Sequence, residues 1–206
     1  MEYLPLFGSV LLIHLMAVIS PGPDFIMALR NSLTYSRKTG IYTAVGFGLG
    51  IGVHVFYCVF GLALIISTSE IAFNIIKYLG VAYLAYIGVM SIVSKSSNIE
   101  VGKESHLADI SPLSAIRIGF LTNVLNPKAT LFFLSLFTFV IGPDVPTSVS
   151  WILGLMMMIN TTIWFSLVAL FFTQARIRAI FNKYQNIFNT IFGILLIGIA
   201  IKIVFT

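Results

Sequence analysis

Two charged residues, Asp24 and Lys128, lie well inside long apolar stretches, and each closes a short motif that contains proline. The two motifs read Pro21-Gly22-Pro23-Asp24 and Asn126-Pro127-Lys128. A charged side chain near the centre of a membrane helix costs roughly 2.5–3.5 kcal/mol on insertion scales. Two such costs are unlikely to persist unless the charges interact favourably or serve a function, so the sequence predicts either an ion pair between helices or a polar site.

The chemistry that suits this pair is the binding of a zwitterion. Asp24 could take an α-ammonium group or a coupling proton, and Lys128 could take an α-carboxylate, with free helix ends assisting. Proline interrupts a helix and glycine adds backbone freedom. Carbonyl groups freed by the break can face a substrate where the break lines a polar cavity. A packing kink and a purely structural ion pair are the alternatives, and a pairing in the empty state fits both.

The elements that carry these motifs are predicted from composition. The chain has 206 residues, of which 58% are hydrophobic and 9% charged, whereas a soluble domain carries about 25% charged residues. The net charge of +5 could suggest nucleic acid, but the positive residues lie in short loops, where they act as topology signals. Cys58 is the only cysteine, which excludes an intrachain disulfide or a CxxC redox pair.

Six apolar runs are long enough to cross a bilayer as helices, which needs about 20 residues. They cover residues 4–29, 41–66, 71–93, 113–141, 149–172 and 187–205. Backbone amides in hydrocarbon must be satisfied within the segment, and the runs are too uniformly apolar for barrel strands. The predicted fold is an all-α integral membrane protein with six transmembrane helices in one domain, with Ser111-Pro112 starting the fourth helix.

The positive charges predict the orientation. The loops after the first, third and fifth helices carry Arg30, Arg37, Lys38, Lys95, Lys103, Arg176, Arg178 and Lys183. The loops after the second and fourth helices carry only Glu70 and Asp144, although Lys77 and Lys202 lie near those ends. The positive-inside rule therefore places both termini outside the cytoplasm.

The two proline motifs also mark an internal repeat with an offset of 106 residues, from Pro21 to Pro127. This offset carries residues 41–66 onto 147–172, and 71–93 onto 177–199. Three helices per half predict two inverted repeats, about 1–94 and 113–206, joined by a loop at about 94–112. Inverted repeats with matching helix breaks indicate a secondary transporter whose substrate binds at the breaks. Chance similarity between two hydrophobic halves is the alternative.

Other intramembrane polar residues are weaker candidates. Asn123 lies one turn before the second break, and Asn160 takes the position equivalent to His54; both asparagines could line the cavity. His14 and His54 could relay protons or could simply hydrogen-bond neighbouring helices. Tyrosines of the third helix could be interfacial anchors or cavity walls: Tyr78, Tyr83 and Tyr86. A glycine run with two interleaved GxxxG spacings predicts close helix packing: Gly46, Gly48, Gly50 and Gly52.

With these motifs the chain resembles the amino-acid exporter family of the lysine exporter and homoserine/threonine exporter type. The resemblance rests on residues 20–24, 40–52, 77–88 and 119–128, in order and over essentially the whole chain. It implies an exporter of amino acids or close derivatives in the bacterial inner membrane that is driven by an ion gradient, and we expect this transport to be proton antiport. Carried over by position, it implies functional roles for residues 21–24 and 126–128. With Asp24 as the one clear intramembrane carboxylate, neutral amino acids such as homoserine, threonine or leucine are favoured.

Competing functions find less support in the sequence. No GxxxxGK[ST], HExxH or GxSxG motif occurs, so an ATP-driven pump or a hydrolase is disfavoured and no enzyme or cofactor is predicted. A metal exporter needs several buried ligands, and the sequence offers only His14, Asp24 and His54, which disfavours this function. A non-transporting membrane scaffold is the remaining alternative, but a scaffold has no need of charged helix breaks. The predicted partners are an amino acid, a proton, the bilayer and possible further copies of the chain, not nucleic acid.

Overall fold

A computed structural model describes residues 3–68, 70–93, 107–141 and 145–205. Within these ranges the chain forms helices and no strand, as the all-α prediction requires. The α-helices are α1 (Leu4–Ile19), α2 (Pro23–Thr34), α3 (Arg37–Thr68), α4 (Glu70–Val93), α5 (Pro112–Val124), α6 (Pro127–Leu136), α7 (Thr147–Phe171) and α8 (Ala175–Val204). A π-helical segment, Phe137–Ile141, continues α6.

The helices are those of a multi-pass membrane protein. Among the described residues, three helical stretches are long and apolar enough to cross a membrane: Arg37–Gly61, Thr147–Phe171 and Ala175–Lys202. A fourth span results if α1 and α2, which meet at an angle of 58°, are counted as one broken helix. The segment Tyr78–Val93 of α4 is a shorter apolar helical stretch. The count of six spans stays a prediction.

The boundaries of the predicted spans lie within five residues of those of the observed helices, with one exception. α8 begins at Ala175, well before the predicted start at residue 187, because its first turns carry Arg and Lys residues, which favour helix as strongly as apolar residues do. Ser111 caps α5 as predicted: its hydroxyl accepts from the backbone N–H of Ser114 at 3.2 Å. Of the predicted loop, residues 94–106 lie outside the described residues, as do Lys95, Lys103 and Asp144 among the topology signals.

The glycine run packs α3 closely against its neighbours, as predicted, and the structure shows that it does so against two helices at once. Gly46 and Gly50 face α5, where a Cβ at Gly46 would collide with the carbonyl oxygen of Ile116. Gly48 and Gly52 face α7, where a Cβ at Gly48 would lie 3.0 Å from the carbonyl oxygen of Met158 and would collide with a threonine hydroxyl. Only glycine allows backbones to approach this closely.

A second glycine contact joins α4 and α8. A Cβ at Gly88 would lie 2.9 Å from the carbonyl oxygen of Gly193, and a Cβ at Gly193 would collide with the carbonyl oxygen of Gly88. Large apolar side chains such as Phe192 and Leu196 fill the core beside this contact, with at most 1% of their surface exposed. The packing leaves the two helix breaks facing each other in the interior.

Candidate functional site

The first helix break separates α1 from α2. α1 ends at Ile19, Ser20 is extended (φ −63°, ψ 119°), and α2 begins at Pro23, whose ring suits the first turn of a helix. Gly22 is also extended, with φ −164°, a conformation that any residue adopts, so this position does not need the backbone freedom expected of its glycine. A Cβ there would also lie in ordinary van der Waals contact with Lys128, 3.6 Å from its Cδ, so neither the backbone conformation nor the available space requires glycine at this position.

The second break separates α5 from α6 in a similar way. α5 ends at Val124, and Asn126 caps α6, with Pro127 in its first turn. The side-chain oxygen of Asn126 accepts from the backbone N–H of Lys128 at 3.0 Å. This cap fixes the orientation of the amide, so that its NH2 group points away from α6.

Asp24 joins the two breaks through a pair of amides. Asn123 Nδ2 donates to Asp24 Oδ2 at 2.8 Å, and Asn126 Nδ2 donates to Asp24 Oδ1 at 3.2 Å. All three side chains are buried, with Asp24 only 9% exposed. The carboxylate lies in the first turn of α2, where the positive end of the helix dipole favours a negative charge. Each carboxylate oxygen therefore has one amide donor.

Lys128 faces the same region from α6. Its Nζ donates to the carbonyl oxygen of Ser20 at 3.1 Å, a group released by the first break. The hydrogen bonds of Lys128 and Asp24 thus go to separate partners, so the structure does not show the predicted ion pair between them, although both charged groups line one cavity. An ammonium near the N-terminus of α6 stands at the positive end of the helix dipole, which strengthens its attraction for an anion.

The central cavity, as we name this space, measures about 50 Å³. That volume suits about four water molecules, since each needs roughly 10–15 Å³ on this measure. Its polar lining consists of His14, Ser20, Asp24, Asn123, Asn126 and Lys128. The remaining wall is apolar and largely aromatic, with Ile51, Phe132, Phe133 and Phe165 among its members. The site therefore offers one anionic group, one cationic group and an apolar wall.

The predicted residues His54 and Asn160 lie behind this lining. His54 Nε2 lies 3.1 Å from the carbonyl oxygen of Asn123, and its Nδ1 lies 2.8 Å from the hydroxyl of Tyr57. Because a carbonyl can only accept, Nε2 donates to Asn123. The hydroxyl of Tyr57 has one proton for two acceptors, Nδ1 of His54 and the carbonyl oxygen of Thr130 at 3.3 Å. Asn160 Nδ2 lies 3.1 Å from Nδ1 of His14, which lines the cavity. Both residues thus hold a lining residue in place.

The sequence interpretation missed some contributors. Gly50 was assigned to helix packing alone, yet a Cβ there would lie 2.6 Å from Asn123 Oδ1, so this glycine makes room for the amide that binds Asp24. Gln185 and Asn189 on α8 were passed over, although two buried polar residues four positions apart share one helix face. Within the described residues, no three His, Cys, Asp or Glu side chains gather as metal ligands.

Comparison with known proteins adds independent information. A sequence model of the LysE type translocator family matches residues 15–206. The uncharacterised membrane protein YrhP of Bacillus subtilis is 32% identical over 194 residues, which is 91% of this chain and 92% of that protein. The threonine efflux protein of Escherichia coli K12 is 27% identical over 202 residues, or 98% of each chain. No solved structure matches the chain.

Proposed function

The chain belongs to the LysE type translocator family, and from this premise we propose that it exports neutral α-amino acids from the bacterial cytoplasm in exchange for protons. Family membership makes it a membrane transporter of the amino-acid exporter type rather than an enzyme. Relatives named as threonine efflux proteins match nearly the full length of the chain. They favour threonine and amino acids of similar size as the substrate class.

The observation that carries this proposal is the pairing of opposite charges across the central cavity. Asp24 and Lys128 match the ammonium and the carboxylate of an amino acid, and both lie where a helix is broken. The N-termini of α2 and α6 meet at the same cavity, and half-helix N-termini of broken helices bind substrate carboxylates in other transporters. Since about 50 Å³ holds only a few waters, the cavity must widen before an amino acid enters.

Proton coupling follows from the chemistry of Asp24. A carboxylate can hold either a proton or a substrate ammonium, but it cannot stabilise both at once. In the proposed cycle, deprotonated Asp24 binds the ammonium from the cytoplasmic side and is protonated after release to the periplasm. The protonated carboxyl then returns, and its proton leaves into the cytoplasm. Lys128 meanwhile exchanges the carbonyl of Ser20 for the substrate carboxylate, so its ammonium always has an acceptor.

The apolar part of the cavity favours a neutral side chain. Phe132, Phe133 and Phe165 leave room for an apolar or hydroxylated group but offer no second carboxylate. A basic side chain would bring a second positive charge into a site whose one carboxylate already serves the α-ammonium. The cost of an unpaired buried charge would then exclude lysine or arginine.

Six spans in two inverted repeats are part of the proposal, and hydrogen bonds between the halves support them. His54 of the first half contacts the carbonyl of Asn123 in the second. Asn160, which is 106 positions after His54, contacts His14 of the first half. Equivalent positions thus each reach the broken helix of the opposite half. Such an exchange is expected when two repeats are related by a two-fold axis.

Glycine contacts between the two halves are reciprocal in the same way. Gly48 of α3 packs against the backbone of α7, and Gly154, 106 positions later, packs against Val55 of α3. Gly88 and Gly193 contact each other's carbonyl oxygens across α4 and α8. Combined with the positive-inside rule, this arrangement supports a cytoplasmic location for the basic residues near the α8 N-terminus and a periplasmic location for both termini.

Efflux from proteoliposomes tests the proposed function. Vesicles that contain the purified protein are loaded with labelled L-threonine, and efflux is followed with an acidic exterior, with equal pH, and after an ionophore dissipates the gradient. The antiport proposal predicts efflux above that of protein-free vesicles, accelerated by the acidic exterior. Equal leakage from both kinds of vesicle across a broad amino-acid panel would contradict export and leave the membrane scaffold as the better interpretation.

A further inference from the structure

A second and larger cavity lies beside the central one. This α4–α8 chamber measures about 350 Å³ and takes most of its lining from α4 and α8. Ser20 and Lys128 line both cavities, so the side chain of Lys128 stands on the wall between them. On the same volume measure the central cavity has only about 50 Å³. Sites for small organic ligands occupy roughly 300–1,000 Å³, a size that the chamber reaches and the central cavity does not.

The chamber contains buried acceptors without partners. Gln185 and Asn189 line it from α8 and are only 4% and 5% exposed. Within the described residues, neither Gln185 Oε1 nor Asn189 Oδ1 has a hydrogen-bond partner. Buried amide oxygens in this situation destabilise a protein unless something supplies a donor. Two of them, one helical turn apart, indicate a ligand that donates hydrogen bonds.

The rest of the lining identifies the chemistry of that ligand. Tyr83 and Tyr86 of α4 line the chamber with their ring centroids 6.2 Å apart, and aromatic faces attract cations. Lys128 contributes an ammonium that attracts an anion. The chamber therefore combines acceptors and aromatic rings for a cation with one positive group for an anion. An α-amino acid carries both kinds of charged group in one small molecule.

We propose that the α4–α8 chamber is a loading site for the transported amino acid, with the substrate carboxylate on Lys128 and its ammonium on the amide oxygens of Gln185 and Asn189. This inference rests on the proposed function and adds a second binding site to it. The carboxylate keeps its contact with Lys128 while the ammonium passes from the two amides to Asp24. Neither charge has to be left without a partner during the transfer. The predicted orientation places the chamber towards the cytoplasm, from which an exporter loads.

Site-specific protection from labelling tests this inference with L-threonine as the probe. Met90 lines the chamber and is 48% exposed, so a Met90→Cys substitution, in a Cys58→Ala background, places a thiol there for a maleimide. L-threonine should slow the labelling, and it should still do so after Asp24→Asn because loading precedes contact with Asp24. Gln185→Met and Asn189→Leu, separately and together, should raise the half-protecting concentration about tenfold or more.

A matched control is available one residue from the proposed site. Asn186→Leu makes the same change of chemistry on the same helix at an exposed position, and it should leave protection unchanged. In efflux assays the Gln185 and Asn189 variants should raise KM with a largely retained maximal rate. If the double variant does not fold, the single variants test the loading site. Gln185→Glu keeps an acceptor and should retain the protection that Gln185→Met loses.

The outcomes separate this inference from the proposed function. If the wild-type protein exports L-threonine but protection is absent, or is insensitive to both Gln185 and Asn189, the loading site is wrong and the proposed function stands. Loss of protection in Asp24→Asn would also overturn it, because both cavities would then form one site. A wild-type protein that exports no amino acid would overturn the proposed function and this inference together.

Discussion

Replacing Asp24 by asparagine separates the charge of this residue from its hydrogen bonds. The amide of Asn126 cannot turn over, since its oxygen caps α6, so residue 24 must present an oxygen to it. The amide of Asn123 can turn over, because Asn123 Oδ1 has no other partner within the described residues. An asparagine at position 24 can therefore accept from Asn126 and donate to Asn123, and both hydrogen bonds are kept.

The magnitudes follow from this geometry. In Asp24→Asn the weaker neutral hydrogen bonds are offset by the removal of a buried charge, so the free energy of unfolding should change by about 1 kcal/mol or less. Asp24→Leu is the matched variant, of similar size but without polar atoms. It leaves the amides of Asn123 and Asn126 buried without an acceptor, at about 1–3 kcal/mol each, or about 2–6 kcal/mol in total.

Transport and stability should consequently respond differently to the two substitutions. Both variants lack the group that binds the ammonium and carries the proton, and loss of a hydrogen bond between charged groups lowers affinity about 10- to 150-fold. Proton-driven L-threonine efflux from proteoliposomes should be abolished in both. In thermal unfolding of the detergent-solubilised protein, only Asp24→Leu should unfold at a clearly lower temperature, by roughly 10 °C.

Two results would refute this reasoning. Wild-type efflux and proton dependence in Asp24→Asn would remove Asp24 from the mechanism altogether. Equal stability of the asparagine and leucine variants would show that the amides of Asn123 and Asn126 do not depend on an acceptor at position 24. The first result concerns the transport cycle and the second the structure of the site, so each can fail alone.

Lys128→Ala should impair efflux. The double variant Asp24→Asn, Lys128→Ala should insert into the membrane better than either single variant, which is measured as the yield of monodisperse protein. Equal yields would contradict charge compensation between the two residues. Gly46→Ala should destabilise the protein by about 1–3 kcal/mol because the new Cβ collides with α5, whereas Gly61→Ala, with nothing within 4 Å, should be neutral or stabilising in the same thermal assay. In a background without the native cysteine, Lys183→Cys should react with an impermeant thiol reagent only from the cytoplasmic side; reaction from the periplasm would reverse the predicted orientation.

The helices and their breaks could be predicted from the sequence because they depend on local properties. Apolar length determines the spans, and each proline fixes the residue at which a new helix begins: α2 starts at Pro23 and α6 at Pro127. The interleaved glycines likewise predicted close helix packing of α3, because a spacing of four residues brings two glycines to one side of a helix. Local sequence therefore sufficed for the helix breaks and for most of the helix boundaries.

The hydrogen-bond partners inside the site could not be predicted, since they depend on how the helices pack. Opposite charge favoured Lys128 as the direct partner of Asp24, but the 58° bend between α1 and α2 brings Asp24 to the amides of Asn123 and Asn126. Lys128 finds the carbonyl of Ser20 instead. A bend angle is set by tertiary contacts over many residues, and a proline specifies only that a bend exists.

The polar residues of α8 were missed for a related reason. Asparagine and glutamine do not indicate a buried site in a segment that also contains charged residues, because each could face water or a lipid headgroup. The contact between Gly88 and Gly193 lies on the face of α8 that carries Gln185 and Asn189, and this face is turned towards the interior. The burial of these amides is thus a consequence of helix pairing.

The glycine contacts also restrict which parts of the molecule can shift when access alternates between the two sides of the membrane. Where backbones touch, as α3 does with α5 and with α7, a small slide brings a carbonyl oxygen against a neighbouring Cα. Packed interfaces of this kind have discrete fits rather than a continuum. We therefore expect α3, α5 and α7 to travel as one block, and α4 with α8 as another. The two blocks would then move relative to each other at their boundary, where Lys128 lies.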